Sequence, residues 1–244
     1  MHYALRMVVS LACLGFSADN GRADVFSIKE VTYAEIAEFV DRVITFDEMG
    51  QPPPDALLYL EGVSFGERFR GQLVVAKQDD ALVWHEVLQE KTPYSPLEAA
   101  PGPRGQNLRI APDGHWGSLA LHPLGPVAAH SLGTGTLAIR FDPPACYVAF
   151  RSGIDGMSRL GWVNNTILRG KSEGSLSILF YNEGGDLLAN FMRSYNPEGP
   201  IEVGYLQSGQ ADAQIAGILL QNLDLGGIAI DDLRFDPECP YKLY

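Results

Sequence analysis

Positive charge is scarce in this sequence. Its 244 residues carry 18 Lys and Arg against 30 Asp and Glu, a formal net charge of −12. Sequence-independent nucleic-acid binding needs a Lys/Arg footprint on phosphate, and electrostatic docking on an anionic membrane needs a basic patch. The charge balance argues against both. Cysteine is scarce too: there are three, with no CxxC and no Cys/His cluster, so no zinc-site spacing is present. HExxH is missing, and the five histidines (His2, His85, His115, His122, His130) show no metal spacing. Long helical periodicity is confined to one segment. What the chain does have is 46% hydrophobic and 20% charged residues, enough for a packed core and too apolar for a disordered chain. Its 26 Gly and 16 Pro favour many turns.

The N-terminus reads differently from the rest. Met7–Ala18 (MVVSLACLGFSA) is free of charge, follows a short stretch with one Arg and no acid, and precedes Gly21-Arg22-Ala23, small residues at −3 and −1 of a cut before Asp24. This is the layout of a secretory signal peptide, and the apolar run falls short of the about 20 residues that span a bilayer. Residues 1–23 are therefore expected to direct export to a periplasmic or extracellular location, cleaved or retained as an anchor. Any membrane association would run through that segment. Cys13 would leave with it, and Cys146 and Cys239 would remain as a pair, most simply one disulfide in an exported protein.

Tyr33–Val43 places Ile36, Phe39, Val40 and Val43 on one helical face and predicts a helix of about three turns within a lead-in over 24–43. From Ile44 to Tyr244 the pattern becomes about a dozen short β-type runs broken by Gly, Pro, Asn and Asp, the spacing of an all-β sandwich. Asn182-Glu183-Gly184-Gly185 and Asp224-Leu225-Gly226-Gly227 read as hairpin turns. Pro-rich Lys91–Gln106 reads as a long surface loop.

Catalytic motifs fail on context. Gly170-Lys171-Ser172-Glu173-Gly174 has the letters of a nucleophile elbow, but turn-rich residues precede it and a β-type run follows, so a surface turn is the better reading. The same stretch ends like a phosphate loop, with Asn165 where the first Gly belongs. No catalytic residue is assigned, and a hydrolase ranks below the non-catalytic readings.

Two acidic pairs stand out. In Gly227–Phe235 (GIAIDDLRF), Phe235, Leu233 and Asp231 share one alternation and Ile228, Ile230 and Asp232 the other. Either the alternation slips at the Asp pair, as a bulge would make it, or one carboxylate points inward. Asp47 and Glu48 follow the first clear run, Ile44-Thr45-Phe46. If the two ends lie side by side, Asp47 or Glu48 with Asp231 or Asp232 would form an oxygen-rich cage suited to a structural Ca²⁺. The alternative is that the Asp pair caps a bulge through backbone hydrogen bonds.

The early Phe followed by an acid, the late GIAIDDLRF and the Cys just beyond it resemble MAM-type and carbohydrate-binding-module-like jelly rolls. They also resemble the domains of exported bacterial proteins with a C-terminal PEP sorting signal. Glu61–Phe65 and Ile178–Leu188 are similar to the second strand and central hairpin of that group. No PEP motif, membrane helix or basic tail precedes Tyr244, so that sorting route is not expected. The resemblance implies an antiparallel jelly-roll sandwich that binds sugar through aromatics, with Trp116, Trp84 and Tyr181 the leading candidates and Trp162 and Tyr195 behind them. The expected function is thus an exported binding or assembly module with a glycan or protein partner. The alternative is an accessory subunit of an extracytoplasmic or membrane-tethered complex.

Overall fold

The computed structural model describes residues 27–79, 82–87, 92–113, 117–126, 132–154, 175–194, 200–208, 214–222 and 227–239. In chain order the elements are β1 (Ser27–Val31), α1 (Tyr33–Ala37), β2 (Leu58–Leu60), β3 (Val63–Gly66), β4 (Arg68–Phe69), β5 (Val74–Asp79), β6 (Leu82–Val87), β7 (Ala99–Ala100), β8 (Leu108–Pro112), β9 (Leu119–Pro123), β10 (Thr136–Ala145), β11 (Tyr147–Ile154), β12 (Ser175–Tyr181), β13 (Leu187–Ser194), β14 (Ile201–Ser208), β15 (Ile215–Asn222) and β16 (Ile228–Asp236). One six-stranded sheet runs β1-β14-β11-β16-β9-β8 and a second β13-β12-β15-β10-β3-β2. Two small ribbons, β4-β7 and β5-β6, complete the set. The pairings are antiparallel, so the expected all-β sandwich is present.

Period-two alternation builds the core. Leu137, Ile139 and Phe141 of β10, Leu176, Ile178 and Phe180 of β12, and Ile218 and Leu220 of β15 meet Val148 and Phe150 of β11 and Ile230, Leu233 and Phe235 of β16 between the sheets. β15 is buried along its whole length, because its outward residues Ala216 and Leu219 pack into a second cluster with Phe69, Val87 and Leu97. That explains why its sequence is a continuous apolar run rather than an alternating one. The outer face of the second sheet is therefore a floor, covered by β4, the β5-β6 ribbon and the segment around Leu97.

Three expectations need correcting. The helix is one short element, Tyr33–Ala37, started by a Thr32/Glu35 capping box. Past it, Arg234 of β16 donates to the carbonyls of Val40 (2.6 Å) and Asp41 (3.2 Å), drawing the chain onto the sheet, and Phe39 and Val43 of the predicted apolar face are exposed. The predicted second hairpin does not pair its strands: β15 and β16 belong to opposite sheets, and residues 223–226 lie outside the described residues. Lys91–Gln106 does not simply skirt the surface. Leu97 is 1% exposed and Ala99 and Ala100 pair with β4. The first predicted hairpin is as expected, with Gly185 at φ 85° between β12 and β13. The N-terminal segment 1–23 lies outside the described residues, as does the Ser172 motif.

Candidate functional site

Both ends of the sandwich chain meet where the acidic pairs lie. Ile44 and Leu233 exchange two backbone hydrogen bonds (2.8 and 3.0 Å), which places Asp47 beside the start of β9. Asp47 Oδ1 accepts the Leu119 N–H at 2.8 Å. The alternation of β16 slips at the Asp pair: Ile230 and Leu233 both face the core, the register against β11 shifts there, and Asp232 has φ 51°. This is a β-bulge, the first of the two options read from the sequence. Asp231, 4% exposed, accepts the Asp232 N–H at Oδ1 (2.8 Å) and the Ser118 hydroxyl at Oδ2 (3.2 Å). Burial pushes its carboxyl above the ordinary value, and the charges of Asp232 and Asp47 add to the push. Asp232 turns away to pair with Arg151 Nη1 (2.6 Å), whose guanidinium also lies 5.1 Å over the Tyr33 ring. Glu48 is exposed. Of the four carboxylates, then, Asp47 and Asp231 share one locale, while Asp232 serves the far side of its strand. Among the described residues, no group of three or more His, Cys, Asp or Glu is placed to hold a metal ion.

The cysteine pair is joined. Cys146, fully buried between β10 and β11, is disulfide-bonded to Cys239 just after β16, with Cα atoms 5.1 Å apart. Among the described residues, no helix is long and apolar enough to cross a membrane.

The aromatic candidates part company. Trp116, Trp162 and Tyr195 lie outside the described residues. Trp84 sits on β6 opposite Lys77 in the register. Tyr181, at the end of β12, is 6% exposed, lies edge-on to Phe69 at 5.5 Å and accepts a hydrogen bond from Gln72 Nε2 at 3.3 Å. Burial raises its hydroxyl pKa above the usual value. It stands in a cleft of about 420 Å³ on the outer face of the second sheet.

That cleft is built by alternation and by a pinned loop. Leu179, Tyr181, Leu219, Gln221 and Asn190 form its floor from β12, β15 and β13; Gln72, Val87, Thr92 and Pro93 form the wall. Gln72 is fixed by accepting the Phe69 N–H at Oε1 (2.9 Å), so its Nε2 faces the Tyr181 hydroxyl. Ser177 donates to Asn190 Oδ1 (3.1 Å), leaving the Asn190 amide NH₂ as the end for a ligand. The wall is held by Arg140, which projects from β10 onto the same face. Its Nε donates to Leu97 O (2.8 Å), Nη1 to Ala216 O (3.3 Å) and Nη2 to both Glu183 oxygens (2.8 and 2.6 Å). Among the described lining residues Asp186 is the charged one, and its carboxylate already accepts from Asn182 Nδ2 at 3.0 Å.

Four exposed apolar residues belong to or adjoin the segments that line the cleft. Leu187 lines the cleft, Leu73 and Tyr94 directly follow Gln72 and Pro93, and Met192 is two residues along β13 from Asn190; each is about half exposed or more. The sequence reading missed Gln72, Asn190, Gln221 and Tyr94. Ser177, Asn190 and Gln221 are polar residues within their strands, and alternation alone reads such residues as solvent-facing.

No protein-family model, no curated protein and no solved structure matches this chain.

Proposed function

We propose that this chain is an exported, non-catalytic β-sandwich module of jelly-roll type that binds carbohydrate in the cleft over β12, β13 and β15. The observation that carries this reading is the lining itself: amides and hydroxyls fixed by their own hydrogen bonds, apolar floor residues, and an apolar rim. Sites for small ligands are concave, mostly apolar and furnished with a few fixed polar groups, and the cleft volume is in their range. A sugar presents hydroxyls at its edge and C–H groups on its faces, which such a lining matches on both counts. The resemblance to carbohydrate-binding-module-like jelly rolls points the same way. Export is supported by the Cys146–Cys239 disulfide, since such bonds persist in oxidising compartments.

The exposed rim favours a second reading, a protein partner in an extracytoplasmic assembly. One experiment addresses both. The chain, recovered from an exporting host, is applied to a glycan array beside an Asn190→Ala/Gln221→Ala variant. Binding by wild type and loss in the variant is expected. If no glycan class binds, the carbohydrate reading fails, and a stoichiometric protein partner co-purified through the same face would replace it.

A further inference from the structure

Given the reading of the cleft as a carbohydrate site, the geometry points to Tyr94 as its stacking platform and to a neutral sugar as its ligand class. Tyr94 is 64% exposed, yet its ring is not loose. Gly71, at φ 91°, lets the ring lie against the backbone: a Cβ there would come within 2.5 Å of Tyr94 Cδ1. The Tyr94 N–H donates to Arg70 O at 2.8 Å, and the Tyr94 carbonyl lies by Gly185 at the lip of the cleft. A ring fixed by packing but open to solvent has little rotamer freedom left to lose when a ligand covers it, which is what a preorganised contact requires.

Selectivity follows from charge. Among the described residues the lining holds no Lys or Arg, its charged member Asp186 is an acid, and the chain carries −12 overall. Against these residues an anionic ligand would surrender hydration without gaining a cation partner and would meet a carboxylate. Gln72, Asn190 and Gln221 put neutral amides at the cleft, with the Asn190 NH₂ left to donate to a hydroxyl group. A pyranose lying on Tyr94 with its hydroxyl edge toward these amides satisfies both surfaces.

Calorimetric titration of the full chain with cellobiose, maltose, N,N′-diacetylchitobiose and digalacturonate tests this. At least one neutral disaccharide is expected to bind, with digalacturonate at least tenfold weaker. Tyr94→Ala should weaken the neutral ligand about tenfold, the scale of an anchor contact, and Tyr94→Phe should retain it. Circular dichroism melts of both variants should match wild type, since the residue is exposed. If glycans bind on the array but Tyr94→Ala is neutral, or if digalacturonate binds as well as the neutral sugars, this inference fails while the carbohydrate reading stands. If no array glycan binds, the underlying reading is what fails.

Discussion

Asp232 gives its backbone N–H to the carboxylate of Asp231 at 2.8 Å while its own carboxylate leaves for Arg151 at 2.6 Å. Two adjacent acids therefore do different work on one bulge. Asp231 closes the fork where β9 and the Ile44 segment both lie along β16, and Asp232 ties the outer face of that strand to β11. The sum is a bulge capped on one side by the Asp231 carboxylate and tied on the other to the Arg151 guanidinium.

The burial of Asp231 has a pH signature. Its carboxyl pKa in the folded chain is raised above the ordinary value of 3.8, burial being the main cause. The folded state therefore holds this proton more tightly than the unfolded state. Its unfavourable contribution is absent below 3.8 and grows as pH rises through the raised value. Asp231→Asn, which keeps an oxygen for the Asp232 N–H, should be at least as stable as wild type at pH 7 and should lose this part of the slope. Urea unfolding at a series of pH values measures it. Capping also predicts a thermal midpoint that chelator and millimolar calcium leave unmoved. A calcium site would instead add about 2.7 kcal/mol at 100 times Kd and lose it in Asp231→Asn.

Asp232 is the non-glycine residue at positive φ among those described. Most L residues lose about 1–2 kcal/mol in that conformation, which Asp and Asn tolerate through local hydrogen bonds. Asp232→Ala should therefore destabilise by about that amount, plus the small worth of a part-exposed ion pair to Arg151. Asp232→Gly should cost less than Asp232→Ala despite deleting the same carboxylate, because it relieves the backbone. Chemical denaturation of the two variants side by side decides this, and equal losses would show that the ion pair rather than the backbone sets the cost.

The disulfide closes a loop between positions 93 apart. In the chain-entropy model a loop of that length is worth about 4–5 kcal/mol, through fewer conformations of the unfolded chain. Cys146 sits in the buried cluster with Tyr33, Ile36 and Val40, so the link also anchors the α1 region. Cys239→Ala should lower the denaturation midpoint sharply, and wild type should fall to the same midpoint in reductant.

What the sequence disclosed depended on whether the signal was local. The bulge was legible because alternation slips visibly at Asp231-Asp232, and the cysteine pairing because two cysteines remained once Cys13 was assigned to the N-terminal segment. The turn at Asn182–Gly185 carried its glycines openly. The connection through Gly227 carried the same glycines yet joins two sheets, since turn residues report that the chain bends and not where the next strand docks. The helix ended early for a long-range reason, the Arg234 guanidinium drawing off its following carbonyls. The cleft was hidden for a similar reason. A polar residue at an outward strand position reads as solvent-facing, and nothing local reveals that Phe69, Val87 and Leu97 cover that face.

The cover over that face depends most on Arg140. Its side chain is 13% exposed, and it holds three separate segments at once: Leu97 of the loop, Ala216 of β15 and Glu183 of the β12-β13 turn. Leu97 N–H in turn donates to Glu183 O at 2.8 Å, so loop and turn are locked to each other as well as to the sheet. Arg140→Met would keep the aliphatic packing and leave two carbonyls and a carboxylate without their donor, a loss of about 2–3 kcal/mol. Arg140→Lys would keep the charge, but an ammonium group has no planar fork to span the same partners, so it should recover only part of the loss. Hydrogen exchange gives the local readout. Amides of Leu97 and Tyr94 should exchange faster in Arg140→Met, while that of Leu206, paired across β1 and β11, should keep its protection relative to the lowered global stability. A variant that loses stability with Leu97 and Tyr94 still protected would mean that the apolar contacts of Leu97 and Phe69, and not the guanidinium, hold the cover in place. In that case sugar binding should survive the substitution.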